Sequence, residues 1–211
     1  MNPALFLLAA YLIGSISFAV LVSWLFGLPD PRSFGSRNPG ATNVLRTGKK
    51  AAAILTLLGD TLKGLAAVLL ARHFAAPFGL DAAIIVPAVG VAVFLGHLFP
   101  LFFRFQGGKG VATALGVLLG FHPWLGAMTL ATWLLAAYMW RTSSLSALIA
   151  AVFAPSYAVM MFGFFHATTL ATLMLAILLI YRHKANIAKL LAGKEGRIGE
   201  APGGPGDMPP E

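Results

Sequence analysis

Residues 111–140 read VATALGVLLGFHPWLGAMTLATWLLAAYMW, an uncharged and largely apolar run broken once, at His122-Pro123. At about 1.5 Å of rise per residue, Val111–Phe121 alone falls well short of a hydrocarbon core roughly 30 Å thick, whereas one helix over all of 111–140 far exceeds it. A helical hairpin turning at His122-Pro123 resolves the conflict, because a proline drives the preceding residue out of the helical region. Outward from this hairpin, further apolar segments are expected to cross at 3–26, 51–71, 82–103, 144–162 and 166–181. The fold class expected is therefore an all-α integral membrane protein with seven transmembrane helices, a short helical hairpin among them.

Composition leads to the same class. Of 211 residues, 58% are hydrophobic and 10% charged, and the charges cluster between long uncharged runs. The net charge of +8 would suggest nucleic acid in a soluble protein, but here the basic residues crowd the ends of apolar segments, where they face anionic lipid. No nucleic-acid partner is expected. The chain has no cysteine, which excludes disulfides, thiolate metal sites and cysteine acyl-enzymes. Segment 3–26 lacks a basic flank before it and a small-residue cleavage site after it, so it reads as a retained span with Trp24 at its interface.

Positive charge sets the orientation. One side collects Arg32, Arg37, Arg46, Lys49 and Lys50, then Arg104 and Lys109, then Arg141, then Arg182, Lys184, Lys189, Lys194 and Arg197. The other holds Arg72, with Asp81 close by. The positive-inside rule puts the N-terminus outside and the C-terminus in the cytoplasm. A single crossing over 111–140 would move Arg141 to the other side and weaken the asymmetry. Residues 1–198 read as one polytopic domain, and the tail 199–211, rich in Gly and Pro with acidic residues, is expected to be disordered.

Three stretches on the basic side have compositions that a solvated loop does not require. In Gly107-Gly108-Lys109-Gly110, at the start of the helix from Val111, backbone amides and an ammonium gather at one helix N-terminus, an arrangement that holds phosphate. It is not a nucleotide P-loop, since Gly110 follows Lys109 and Phe103 stands where that motif begins with Gly. A tight turn whose lysine sits among headgroups is the competing reading. The stretch 35–46 brings Ser36, Asn38, Gly40, Thr42, Asn43 and Arg46 together, neutral donors and a cation suited to an oxyanion. Its competitor is a turn-rich loop in which Ser36, Asn38 and Asn43 cap their own backbone. The third, Arg182-His183-Lys184-Ala185-Asn186-Ile187, puts His183 and Asn186 on one face if the last helix continues, although a basic headgroup anchor would explain its cations. Within the apolar segment 51–71, Asp60 and Lys63 lie three apart on one helix face, and each costs on the order of 3 kcal/mol alone at the bilayer centre.

Other signals are missing. There is no His-x4-Asp pair, no Gly-x-Ser-x-Gly elbow and no metal-ligand spacing. An enzyme built this way should use a substrate that is already activated and rely on positioning and charge stabilisation. A transporter or channel for small phosphate-bearing anions is the alternative. It predicts polar clusters on both sides or an internal repeat, and neither is evident.

Three motifs, Gly35-Ser36-x-Asn38-Pro39-Gly40-Ala41-Thr42-Asn43-Val44-Leu45-Arg46, Gly96-His97-x-x-Pro100 with Gly107-Gly108-Lys109-Gly110-Val111-Ala112-Thr113, and Arg182-His183-x-x-Asn186-Ile187, resemble those of the bacterial acyl-phosphate:glycerol-3-phosphate acyltransferases, the PlsY family. The resemblance runs from Gly14 to about Glu195 and includes Asp60-x-x-Lys63-Gly64 and Arg141-x-Ser143-Ser144. It implies transfer of a fatty acyl group from acyl phosphate to the 1-hydroxyl of sn-glycerol 3-phosphate. The products would be lysophosphatidic acid and phosphate, formed at the cytoplasmic face of the bacterial inner membrane without a covalent acyl-enzyme, metal or other cofactor. Carried over position by position, it gives catalytic roles to Ser36, Arg46, Lys109, His183 and Asn186. It gives substrate contacts to Asn38, Gly40, Thr42, Asn43, Gly107, Gly108, Gly110 and Ser144, leaves Arg37 without a role, and makes Glu195 a structural acid.

Overall fold

A computed structural model describes residues 2–198, so the tail expected to be disordered over 199–211 lies outside the described residues. The described chain is helical and contains no strand. In order it forms α1 (Pro3–Gly14), α2 (Phe18–Leu25), α3 (Ala41–Leu45), α4 (Lys50–Phe74), α5 (Ala82–Leu98), α6 (Val111–Phe121), α7 (Pro123–Trp140), α8 (Ser143–Phe162), α9 (Ala167–Arg182) and α10 (Lys184–Leu191). Among the described residues, α4, Ala82–Phe103 and α8 are each long and apolar enough to cross a membrane. Counting the bent pairs α1 with α2 and α9 with α10 as single spans raises the number to five.

Large apolar side chains line the outside of the bundle as well as its core, and on α4 burial is inverted relative to a water-soluble protein. Leu57, Leu58, Leu62 and Leu69 on α4 are exposed, whereas Thr56, Asp60 and Lys63 on the same helix are buried. Lipid supplies no hydrophobic drive between helices, so close approach through small residues takes its place. Gly116 of α6 lies against the Thr61 carbonyl and the Leu65 amide of α4, and Gly64 of α4 lies against the Thr113 carbonyl. Gly120 packs on Val68 one turn further along, so α4 and α6 run in the same direction. At the end of α6, Arg72 donates to the carbonyls of Gly120 and Phe121 at 2.9 and 2.8 Å, satisfying groups that a helix C-terminus leaves open. On the other side of the bundle, Gly14 of α1 lies on the Val93 backbone and Gly96 of α5 on the Tyr11 carbonyl.

The α6–α7 hairpin turns at His122, which is extended at φ −161° and whose Nδ1 accepts from the Trp124 amide. Two expected helices are not continuous. Segment 3–26 bends by 40° between α1 and α2. Its break is fixed from outside. The Phe18 ring fills the space over Gly59, Ser15 Oγ donates to the Tyr11 carbonyl and accepts from the Leu101 amide, and Lys63 Nζ donates to the freed Ile16 carbonyl. The last helix does not continue through His183 either: α9 and α10 meet there at 59°, with the His183 carbonyl accepting from Ile187 at 2.9 Å.

Candidate active site

The glycine loop is built by tight contact. Gly107 sits on the carbonyls of His97 and Leu98, and Gly108 sits on the His97 ring. Gly110 takes φ +87° against the Phe94 ring, a position closed to any side chain on both counts. The Gly110 carbonyl accepts from Ala114 at 2.7 Å, which starts α6. The amides of its first turn have no acceptor within the helix and carry the positive end of its dipole. Arg182 closes the loop from the other side. Its guanidinium donates to the Gly107 carbonyl at 2.7 Å and to the Gly108 carbonyl at 3.2 Å, and it stacks over the Phe99 ring.

The stretch 35–46 folds around Asn43. That side chain is buried, donates to the carbonyls of Pro31 and Phe34, and accepts from the Ser36 amide at 3.0 Å. Its amide group is committed to the loop, so it orders Ser36, while the Ser36 side chain stays exposed. Gly35, at φ +56°, leaves room for the stem of Arg46, and Gly40 leaves room for Asn38. Two contacts join this loop to the rest of the site: the Pro39 carbonyl lies against Gly108, and Thr42 Oγ1 lies 3.4 Å from Ser143 Oγ at the start of α8.

The third stretch is held by a carboxylate. Glu195 Oε1 accepts from Asn186 Nδ2 at 2.6 Å and from Ser144 Oγ at 2.6 Å. The Ile198 amide then donates to the Arg141 carbonyl, so the segment after α10 returns to the α7–α8 turn. His183 is buried, with Nδ1 2.8 Å from the Leu179 carbonyl. A carbonyl can only accept, so Nδ1 carries the proton and Nε2 is the acceptor edge.

Electrostatics tie the loops together at Lys109. Burial pushes its ammonium down to about 8, with the charges of Lys189, Arg182 and Arg46 acting in the same direction and Glu195 opposing them. Glu195 offsets these cations only in part, and an arriving dianion would supply the rest of the counter-charge.

The structure thus gathers the three stretches that the sequence singles out. It also gives weight to residues that the sequence left in the background, Arg182, which resembles any headgroup anchor, and His97, which carried no assigned role, while Glu195, which the resemblance makes a structural acid, is the shared acceptor of Ser144 and Asn186.

A helical bundle with spans long and apolar enough to cross a membrane, with a glycine loop braced by a guanidinium and with a half-buried lysine among further cations, defines an integral membrane protein with a cationic site between its loops. The chain belongs to the glycerol-3-phosphate acyltransferase family, whose family model matches residues 4–193. It is 64% identical over 196 residues to the glycerol-3-phosphate acyltransferase of Cupriavidus metallidurans, covering 93% of this chain and 96% of that one. It is 62% identical over 196 residues to that of Thiobacillus denitrificans, covering 93% and 97%. The crystal structure of PlsY (YgiH), an integral membrane glycerol 3-phosphate acyltransferase, superposes in its glycerol 3-phosphate form with a TM-score of 0.84 at 37% identity, over 93% of this chain and 96% of that one. The lysophosphatidic acid form gives 0.80 at 35% identity, over 92% and 94%.

Proposed function

We propose that this chain transfers a fatty acyl group from acyl phosphate to the 1-hydroxyl of sn-glycerol 3-phosphate, releasing lysophosphatidic acid and phosphate, without a covalent acyl-enzyme. Residues 1–198 act as one polytopic domain of the bacterial inner membrane. Seven membrane segments, α1 with α2, α4, α5, the two arms of the α6–α7 hairpin, α8 and α9, put the N-terminus outside and the site on the cytoplasmic face. The clustering of basic loops on one side supports this orientation.

The observation that carries the reading is the cup formed where three polar stretches meet: Arg182 braces the Gly107 and Gly108 carbonyls, the Pro39 carbonyl lies against Gly108, and Lys109 feels the charges of Arg46, Lys189 and Glu195. An acyl phosphate is a mixed anhydride whose leaving group is already good, so such a cup needs only to align and neutralise. The 1-hydroxyl oxygen bonds to the acyl carbonyl carbon as the bond from that carbon to the phosphate oxygen breaks. The hydroxyl proton passes to an oxygen of the departing phosphate. Lys109 and Arg46 hold the phosphate of glycerol 3-phosphate, and His183 Nε2 accepts from one of its hydroxyls. Ser36 and Thr42 stand on the donor side, with Asn43 ordering Ser36 from behind.

Purified protein mixed with both substrates should release inorganic phosphate, and omission of either should abolish release. Uptake of glycerol 3-phosphate into sealed vesicles without phosphate release would replace this reading with that of an anion carrier.

A further inference from the structure

Beneath the glycine loop lies a charged cluster that the proposed chemistry does not use. Asp60 and Lys63 pair at 2.8 Å with side chains only 3% exposed, and Lys63 also donates to the Ile16 carbonyl at 2.6 Å, at the break between α1 and α2. His97, near the end of α5, turns one edge to this pair, with Nδ1 3.5 Å from Asp60 Oδ1. That oxygen meets Lys63 and His97 by charge and proximity and has no well-formed hydrogen bond among the described residues. The other edge of the His97 ring is the floor of the loop. A methyl group on Gly108 would overlap His97 Nε2, and one on Gly107 would overlap the His97 carbonyl, which accepts from the Gly108 amide at 3.2 Å. Lys109 is the next residue.

Stability alone is a poor reason for such a cluster, because well-packed apolar residues replace a buried ion pair at little or no cost. Ionisable groups inside a membrane bundle are kept for what they orient. We propose that Asp60, neutralised by Lys63, fixes the ring of His97, and that this ring fixes Gly108 and hence the direction of Lys109. Asp60 and His97 are then positioning residues that act through the loop, and Arg182 is the clamp on its opposite face. The inference rests on the reading that the glycine loop binds the phosphate of glycerol 3-phosphate.

The test is a double-mutant cycle on purified protein at saturating acyl phosphate, with KM for glycerol 3-phosphate, kcat and Tm measured for each variant. Lys109→Ala should raise KM; if it does not, the reading of the loop fails and the inference falls with it. With that effect in hand, His97→Ala should raise KM about tenfold in the parent chain, the size expected of a small misplacement, and less than about twofold in the Lys109→Ala background. His97→Gln, which keeps a polar group against Gly108, should recover part of the loss. Asp60→Leu combined with Lys63→Met leaves no stranded charge, although it frees the Ile16 carbonyl and should lower Tm somewhat, and its KM should rise as in His97→Ala, so it reads the same quantity if the alanine variant does not fold. An unchanged KM in these variants, or an equal rise in both backgrounds, would overturn the relay.

Discussion

Ser144 Oγ donates to Glu195 Oε1 at 2.6 Å, joining the first turn of α8 to a residue 51 positions later in the chain. Asn186 donates to the same oxygen, so one carboxylate ties α8 to α10. Glu195→Ala would leave two donors without their acceptor, and each such loss costs about 1–3 kcal/mol when the group is buried. Lower Tm and lower kcat/KM are expected together, with Glu195→Gln retaining most of both. Thermal unfolding and kinetics on the purified variants check this.

The lowered pKa of Lys109 predicts an alkaline limit on substrate binding. With the ammonium pushed down to about 8, its charge is present below that pH and lost above it, well before an ordinary lysine would titrate. KM for glycerol 3-phosphate should therefore be flat near neutrality and climb above pH 8. Lys109→Arg should move the climb to higher pH, since a guanidinium stays charged throughout the range. Because the Glu195 charge supports the ammonium, Glu195→Gln should move it to lower pH. A KM profile from pH 6.5 to about 9.5 separates the three chains.

Ser36 is held by its backbone and leaves its hydroxyl exposed, an arrangement suited to acting on the reacting centre. Ser36→Ala should lower kcat by about a hundredfold with KM for glycerol 3-phosphate little changed, the pattern for a contact made mainly in the transition state. Steady-state kinetics with both substrates varied gives the answer.

Arg182 makes two hydrogen bonds to adjacent carbonyls with one guanidinium. An ammonium is a point charge and does not reproduce that fork, so Arg182→Lys should raise KM for glycerol 3-phosphate about tenfold despite conserving charge. Equal KM in the two proteins would reduce Arg182 to a headgroup anchor.

The absence of cysteine makes topology directly measurable. Single substitutions Ala76→Cys, between α4 and α5, and Lys49→Cys, just before α4, both introduce exposed thiols. In intact inner-membrane vesicles of known orientation, a membrane-impermeant maleimide should label Ala76→Cys only from the periplasmic side and Lys49→Cys only from the cytoplasmic side. Labelling of both from one side contradicts the seven-segment path.

The hairpin at His122 was legible in the sequence because a length constraint and a proline point to the same residue. The polar stretches were legible because their hydroxyls, amides and glycines exceed what a solvated basic loop requires, whereas their meeting is seen only in the fold. The bend between α1 and α2 was not. Ser15, Ile16 and Ser17 fit a continuous span, and what breaks it comes from α4, the Phe18 ring on Gly59 and Lys63 at the Ile16 carbonyl. Arg182 was hidden for another reason. Any arginine at the end of a span looks like a lipid anchor until its partners are seen. Asn43 belongs with these, since whether an amide faces a ligand or its own loop depends on a fold that periodicity does not describe.

The pairing of α6 with α4 fixes how deep the chemistry sits. Gly64 meets Thr113 and Val117, so Val111–Phe121 begins about one turn earlier on α4, near Asp60, ten residues past Lys50 or about 15 Å from its basic end. For the proposed acyl transfer, the glycine loop that precedes α6 therefore lies below the basic end of α4 and not level with it. Under that proposal, a fatty donor would meet this level from within its own leaflet, while a water-soluble acceptor would have to reach it from the cytoplasm. The eleven-residue helix α6, too brief to cross by itself, is what sets that level.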